Sequence, residues 1–339
     1  LPHNDFTQFS SLRYKVSKAR ELGAKAILFV TGAADSDDDK LMRFNYDQNA
    51  GNAGVPAINI TQAFADLLLM TSGKKLKDLQ KEINDKKAAQ SFSLSNVGIS
   101  LKTDVLETRE QTENVVGFLE GADPKLKNYV LVIGAHYDHL GYGGEGSGSL
   151  KPDTAAIHNG ADDNASGTAG LLELAQYFAS RNRDVRRSML FIAFSGEELG
   201  LLGSAYYVNN PTVAVERMIA MMNMDEIGRL KDRKLIVYGM GTSPGFESLV
   251  TRHNRDSMFV LKLNKDGFGP SDHSSFYAKK IPVFHFFTDI HSDYHRPSDD
   301  YDRINTEGEV LILKFMADIA MDMDSAPERP LYAQVEAPR

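Results

Sequence analysis

Three continuous apolar runs set the pattern of the C-terminal two thirds of the chain. They are YVLVIGA from Tyr129, SMLFIAF from Ser188 and MIAMMNM from Met218. Runs of this length without polar alternation read as strands buried on both faces. Amphipathic stretches separate them, and these predict helices from Ala165, from Glu197 and from Gly245. Two more strands, KLIVYG and PVFHFF, follow, and EGEVLILKFMADIAMDM carries the apolar stripe of a last helix. This alternation predicts an α/β fold, a three-layer α/β/α domain on a mixed, mainly parallel sheet.

Upstream the texture differs. SSLRYKVSKARELGA predicts a helix ending at Gly23, and AKAILFVTG a buried strand closed by Gly32. A polar, turn-rich stretch follows, then a short strand in VPAINI and a helix TQAFADLLLMT capped by Thr61. The lysine-rich GKKLKDLQKEINDKKAAQ is a linker or a surface helix. From Ser91, alternation with Thr and Val predicts two or three edge strands up to Gly121. The expected organisation is a small α/β module with its linker over 1–88, a main domain over 89–325, and an extended tail over 326–339.

Composition narrows the classes. The 339 residues are 42% apolar and 25% charged, as in a globular protein. A net charge of −8, with no basic stripe or base-stacking motif, makes nucleic acid an unexpected partner. There is no cysteine, so a metal could be held only by His, Asp and Glu. No run of apolar residues is long enough to span a membrane. The opening LPHNDFTQFSSLRY does not read as a signal peptide, and without an initiator Met the natural N-terminus is expected to have been removed.

In open α/β sheets, sites sit at the carboxyl ends of strands. There the sequence places HYDHLG with His136, Asp138 and His139, SGEELG with Glu197 and Glu198, DEIG with Asp225 and Glu226, and IHSDYHRPSDD with His291, Tyr294 and His295. A fifth group, GADDNASG with Asp162 and Asp163, precedes a helix. Each alone has an ordinary reading. Paired glutamates suit a helix start, and Asp162, Asp163 or Asn164 could simply cap one. Together they are different, because burying so many carboxylates without a cation is costly. Imidazole plus carboxylate suits zinc, and also cobalt, manganese or nickel. The donors exceed what one tetrahedral zinc takes, and they match two metals sharing a carboxylate, with another carboxylate left over as general base.

At these residues the sequence resembles the co-catalytic zinc exopeptidases of peptidase family M twenty-eight. GAHYDHLG, GADDNASG, FSGEELGLLGS, MNMDEIGR and YHRPSDDYDRI carry the resemblance, over about residues 115–322. AKAILFVTG and GVPAINIT are similar to part of a protease-associated domain, whose first half is not found. The resemblance implies two Zn2+, with Co2+ or Mn2+ as possible substitutes. Asp163 bridges them; Glu198 and His295 complete the first, and His136 and Asp225 hold the second. It implies that Asp138 orients His136 and that Glu197 is the general base. Tyr294 is a candidate oxyanion donor, with a rim-filling role equally open. A cis peptide between Asp163 and Asn164 is implied too. The expected activity is aminopeptidase, with peptides as partners and export to the periplasm or outside the cell. Oligomeric state is left open. The rivals are a carboxypeptidase or dipeptidase, a glutaminyl cyclase-like transferase, or an inactive receptor-like scaffold.

The remaining histidines receive bland readings. His139 and His158 are expected in cleft loops, His285 in the core, His291 in a loop, and His3 and His253 at the surface. Asp272 and His273 are expected to order a loop, with a part in shaping the substrate pocket as the alternative. Glu226 is expected in a salt bridge.

Overall fold

The computed structural model describes residues 12–32, 38–42, 54–104 and 110–335. His3 lies outside them. The chain divides into two compact units, Leu1–Arg109 and Glu110–Arg339.

In the first unit, α1 (Leu12–Glu21) precedes β1 (Ile27–Val30), which pairs in parallel with β2 (Ala57–Ile60). Helix α2 (Gln62–Leu69) starts as the sequence predicts: Thr61 Oγ1 accepts the Phe64 backbone N–H at 3.2 Å. The lysine-rich stretch forms α3 (Leu76–Lys86).

The expected boundary at residue 88 and the observed division after Arg109 differ by a stretch in which no described residue is helix or strand. Of the two or three strands expected between Ser91 and Gly121, the described residues form only β3 (Val115–Leu119). Thr, Val and alternation favour a strand only when a neighbouring strand completes the ladder.

The second unit contains β3, β4 (Val130–His136), β5 (Ser188–Phe194), β6 (Met218–Met224), β7 (Lys234–Tyr238), β8 (Val260–Leu263) and β9 (Val283–Phe287). They form one sheet in the order β3-β5-β4-β6-β9-β7-β8. The central strands β5, β4, β6 and β9 are mutually parallel, while β3 and β7 run antiparallel to β5 and β9. The helices are α4 (Gly167–Ser180), α5 (Leu202–Asn209), α6 (Phe246–His253), α7 (His273–Ala278) and α8 (Thr306–Ser325).

Strand alternation sorts the core into two layers. Leu131, Ile133 and Ala135 of β4 pack with Leu171, Leu174 and Phe178 of α4, with Phe246 of α6, and with Ile312, Phe315 and Ile319 of α8. Val130 and Val132 join Tyr207 and Val208 of α5 and Phe276 of α7. All of β4 and β6 is buried, which is why neither shows polar alternation. The fold is the expected α/β/α sandwich.

Strand order places the site. The chain leaves β4 for β5 on one side, then returns past β4 to β6 on the other. The reversal opens a crevice at the carboxyl ends of β4 and β6. Two further sequence readings are corrected. The helix expected from Glu197 begins at Leu202, and the loop expected around Asp272 and His273 includes the short helix α7.

Candidate metal centre

His136 ends β4, and Asp225 directly follows β6, so the two flank the crevice. The His136 Nδ1–H donates to the Asp138 carbonyl at 3.1 Å. That leaves Nε2 facing Asp225 Oδ1 at 3.3 Å and Asp163 Oδ1 at 3.4 Å. The Asp138 carboxylate has a different occupation. Its Oδ1 lies 3.7 Å from the ring, and its two oxygens accept the backbone N–H of Glu197 at 3.1 Å and of Glu198 at 3.3 Å.

Glu197 and Glu198 lie in the turn between β5 and α5. The N–H groups of Gly200 and Leu201 both donate to the Glu197 carbonyl, at 2.7 and 2.8 Å. Gly196 and Gly200 supply positive φ there, at 69° and 98°. This tight turn delays the helix and leaves both glutamates at the strand end. His295 arrives on the loop after β9. Its Nδ1–H donates to the Gly148 carbonyl at 2.9 Å, and Nε2 faces Asp163 Oδ2 at 3.2 Å and Glu198 Oε2 at 3.3 Å.

Asp163 therefore turns one oxygen to each of two donor groups. The peptide from Asp163 to Asn164 is cis, as the resemblance implies. Asn164 plays the capping part: its Oδ1 accepts the Gly167 N–H at 3.0 Å, while Nδ2 donates to the Met224 carbonyl. Asp299, fully buried, accepts the backbone N–H of Asp162 and Asp163 on one oxygen and is held by Arg229 on the other at 2.7 Å. GADDNASG thus divides its labour between Asp163 in the donor cluster and Asn164 at the helix start.

The electrostatics show a shortage of positive charge. No described Lys or Arg pairs with Asp163, Glu197, Glu198 or Asp225. Burial opposes protonation of His136, yet Asp225, Asp163 and Glu197 hold its pKa well above the ordinary value. Against the same opposition, Asp163 and Glu198 raise His295 to about 10. Burial, opposed by His136 and reinforced by Asp225, Asp272 and Glu198, pushes the Glu197 carboxyl up. Tyr294 stacks on the His295 ring at 3.8 Å between centroids, and burial beside these carboxylates raises its phenol.

Among the described residues, three groups of His, Asp and Glu could hold a metal: His136, Glu197 and Asp225; His139, Asp163 and Glu198; and Asp162, Glu226 and His291. The third differs in kind. His291 Nδ1 accepts the Asp293 N–H at 3.2 Å, so a neutral ring carries its proton on Nε2, which faces Asp162 Oδ2 at 3.3 Å and Glu226 Oε1 at 3.4 Å. At these distances Nε2 completes no hydrogen bond with either carboxylate, and burial first, then the neighbouring acids, push Glu226 up to about 11.

The structure brings His136, Asp138, Asp163, Glu197, Glu198, Asp225, Tyr294 and His295 to one end of the sheet. Sequence reasoning missed two participants. His139 donates Nδ1–H to Glu198 Oε1 at 2.6 Å, and His291 bridges the residues beside Asp163 and Asp225. His253, expected at the surface, is half-buried, with Nε2 on Asp322 at 2.8 Å.

An α/β/α sandwich with histidines and carboxylates gathered at its central strand ends is the architecture of a metal-binding hydrolase domain. Residues 114–320 match Peptidase family M28, and the chain belongs to that family. It is similar to aminopeptidase YwaD of Bacillus subtilis, at 25% identity over 86% of this chain and 56% of the relative. It is also similar to leupeptin-inactivating enzyme 1 of Streptomyces exfoliatus, at 30% over 52% of this chain and 35% of the relative. The chain thus spans little more than half of the first relative and about a third of the second. An aminopeptidase from Aneurinibacillus sp. strain AM-1 shares the fold, with a TM-score of 0.58 and 24% identity over 97% of this chain and 70% of that one.

Proposed function

We propose that the protein is a two-zinc aminopeptidase that removes N-terminal residues from peptides. The observation that carries this reading is a set of spacings at two rings whose Nε2 is free to ligate, which the His291 ring, at similar distances, is not. Two ligand atoms of one tetrahedral zinc, each about 2.0–2.1 Å from it, stand roughly 3.3 Å apart. The four contacts of His136 Nε2 and His295 Nε2 with carboxylate oxygens measure 3.2–3.4 Å. Charge-assisted N–H···O⁻ bonds are shorter, about 2.7–2.9 Å. In both rings Nδ1–H is engaged by a carbonyl, so the neutral form presents a lone pair at Nε2.

His136, Asp225 and Asp163 Oδ1 would hold one ion, and Glu198, His295 and Asp163 Oδ2 the other. Bound zinc supplies the missing positive charge, a water of lowered pKa and polarisation of the scissile carbonyl. Glu197 lies 4.0 Å from His136 Nε2 at the edge of this group, close enough to take the proton of the attacking water and give it to the leaving amine. Asp138 holds the backbone of that glutamate. Tyr294, kept as a phenol by burial, donates to the carbonyl oxygen as it gains charge. The similarity to named aminopeptidases supports the same reading.

The test is a panel of free, N-acetylated and C-amidated dipeptides with zinc-loaded protein. Hydrolysis requiring a free α-amine is the expected result. Cleavage of N-acetylated peptides in preference to free ones overturns the aminopeptidase assignment in favour of a carboxypeptidase. A chain that takes up no zinc is an inactive scaffold.

A further inference from the structure

We propose that His139 is a positioning residue that confines Glu198 to single-oxygen metal ligation and thereby sets the zinc affinity of the half-site shared with His295. This rests on the two-zinc reading. It adds a role to a histidine that the reading leaves without one.

Three contacts carry the proposal. The first is the 2.6 Å separation of His139 Nδ1 and Glu198 Oε1. That is well below the roughly 3.3 Å expected of two ligands on one tetrahedral zinc. A nitrogen and a carboxylate oxygen this close share a proton, so Nδ1 is a donor here and not a ligand. The second is the division of the Glu198 carboxylate. Oε1 is engaged by His139, and Oε2 alone faces His295 Nε2 at 3.3 Å. The short bond aims Oε1 at the His139 ring, so turning the carboxylate to chelate a cation through both oxygens would have to break or lengthen it.

The third contact is the clamp on the ring. Gly160, at φ +59°, lies against it so closely that a Cβ there would stand 2.6 Å from His139 Cγ and 2.7 Å from Cδ2. The ring also meets His295 edge-on, with centroids 5.8 Å apart at 77°. His139 Nε2 is buried without a hydrogen-bond partner, so the ring spends its hydrogen-bonding on Glu198. The ring is thus fixed by packing, and it transmits that rigidity to Glu198.

The test compares wild type with H139F, which keeps a ring but loses the donor, and H139N, whose amide N–H reaches the same region. Each protein is stripped of metal and titrated with zinc against a competing chelator. In wild type two zinc ions are expected. In H139F one of the two should weaken by about 10–100-fold, the usual effect of removing a partner behind a metal ligand. H139N should recover most of that loss. Unchanged affinity in H139F overturns the proposal. So does an H139N as weak as H139F, since packing rather than the hydrogen bond would then be the cause. If metal-free H139F does not fold, as judged by circular dichroism, H139L takes its place with the same outcomes. A wild type that binds fewer than two zinc ions defeats the two-zinc reading itself, whereas two sites in wild type with no effect in H139F defeat only the role of His139.

Discussion

Asp138 Oδ1 accepts the backbone N–H of Glu197 at 3.1 Å. With Oδ2 on the Glu198 N–H, one carboxylate fixes the turn that carries both the expected base and an expected ligand. His136 is oriented instead by the Asp138 carbonyl, which any side chain at this position would retain. D138N should therefore keep near-normal zinc content and lose activity. One face of its amide would oppose a backbone N–H with another donor. A fall in kcat of about 10–100-fold is expected, read from turnover of an aminoacyl arylamide beside zinc analysis.

Glu197 is where the proposed chemistry should separate from metal binding. E197Q preserves shape and removes the proton acceptor, so kcat should fall by about 10²–10⁴-fold. Zinc content measured by mass spectrometry should stay at the wild-type level. Retained turnover would dismiss Glu197 as the base.

Metal removal should act on stability as well as activity. A ligand held only by the folded state, at a thousand times its Kd, stabilises by about 4 kcal/mol. For a unit of this size that is a melting shift of roughly 10 °C. Dialysis against a chelator should lower Tm by that order and stop hydrolysis, and added zinc should reverse both. Equal melting curves with and without zinc would count against a buried centre.

Gly167 has no room for a side chain. A Cβ there would stand 2.3 Å from Asn164 Oδ1 and 2.7 Å from the Met224 carbonyl, both fixed by hydrogen bonds. G167A should destabilise by about 1–3 kcal/mol, as overpacking does. Urea unfolding of the metal-free protein would show it as a lower midpoint.

Glu309, in the first turn of α8, gives a pH signature outside the metal cluster. Burial, then the charges of Asp162 and Glu173, raise its pKa to about 7. The folded state therefore binds this proton more tightly than the unfolded chain. Its stabilising contribution is full below about 4.5, the ordinary value, and is lost as pH rises through 7. E309Q removes the group that must ionise. It should melt above wild type at pH 8, with the gap closing by pH 5.

What the sequence revealed followed burial. Strands β4, β5 and β6 lie inside on both faces, so their apolar runs stood out and their ends could be searched for chemistry. Strand β8 was invisible because Val260 and Lys262 face out of a short edge strand, leaving too little pattern. The late start of α5 depended on positive φ at Gly196, Gly200 and Leu201, a backbone property that helix-forming side chains conceal. The bonds of His139, which does lie in a cleft loop as expected, and of His253 went unforeseen for another reason. Their partners lie 59 and 69 residues away in sequence, and a lone histidine carries no mark of them.

The split allegiance of Asp163 has a consequence for biosynthesis. A chain made from its N-terminus completes His136, Asp163 and Asp225 well before His295. Until β9 has joined β6, the Glu198 side lacks its imidazole, while the His136 side has all its donors. On the two-zinc proposal, topology would therefore impose an order of loading, with the His136 side complete before the side that awaits His295.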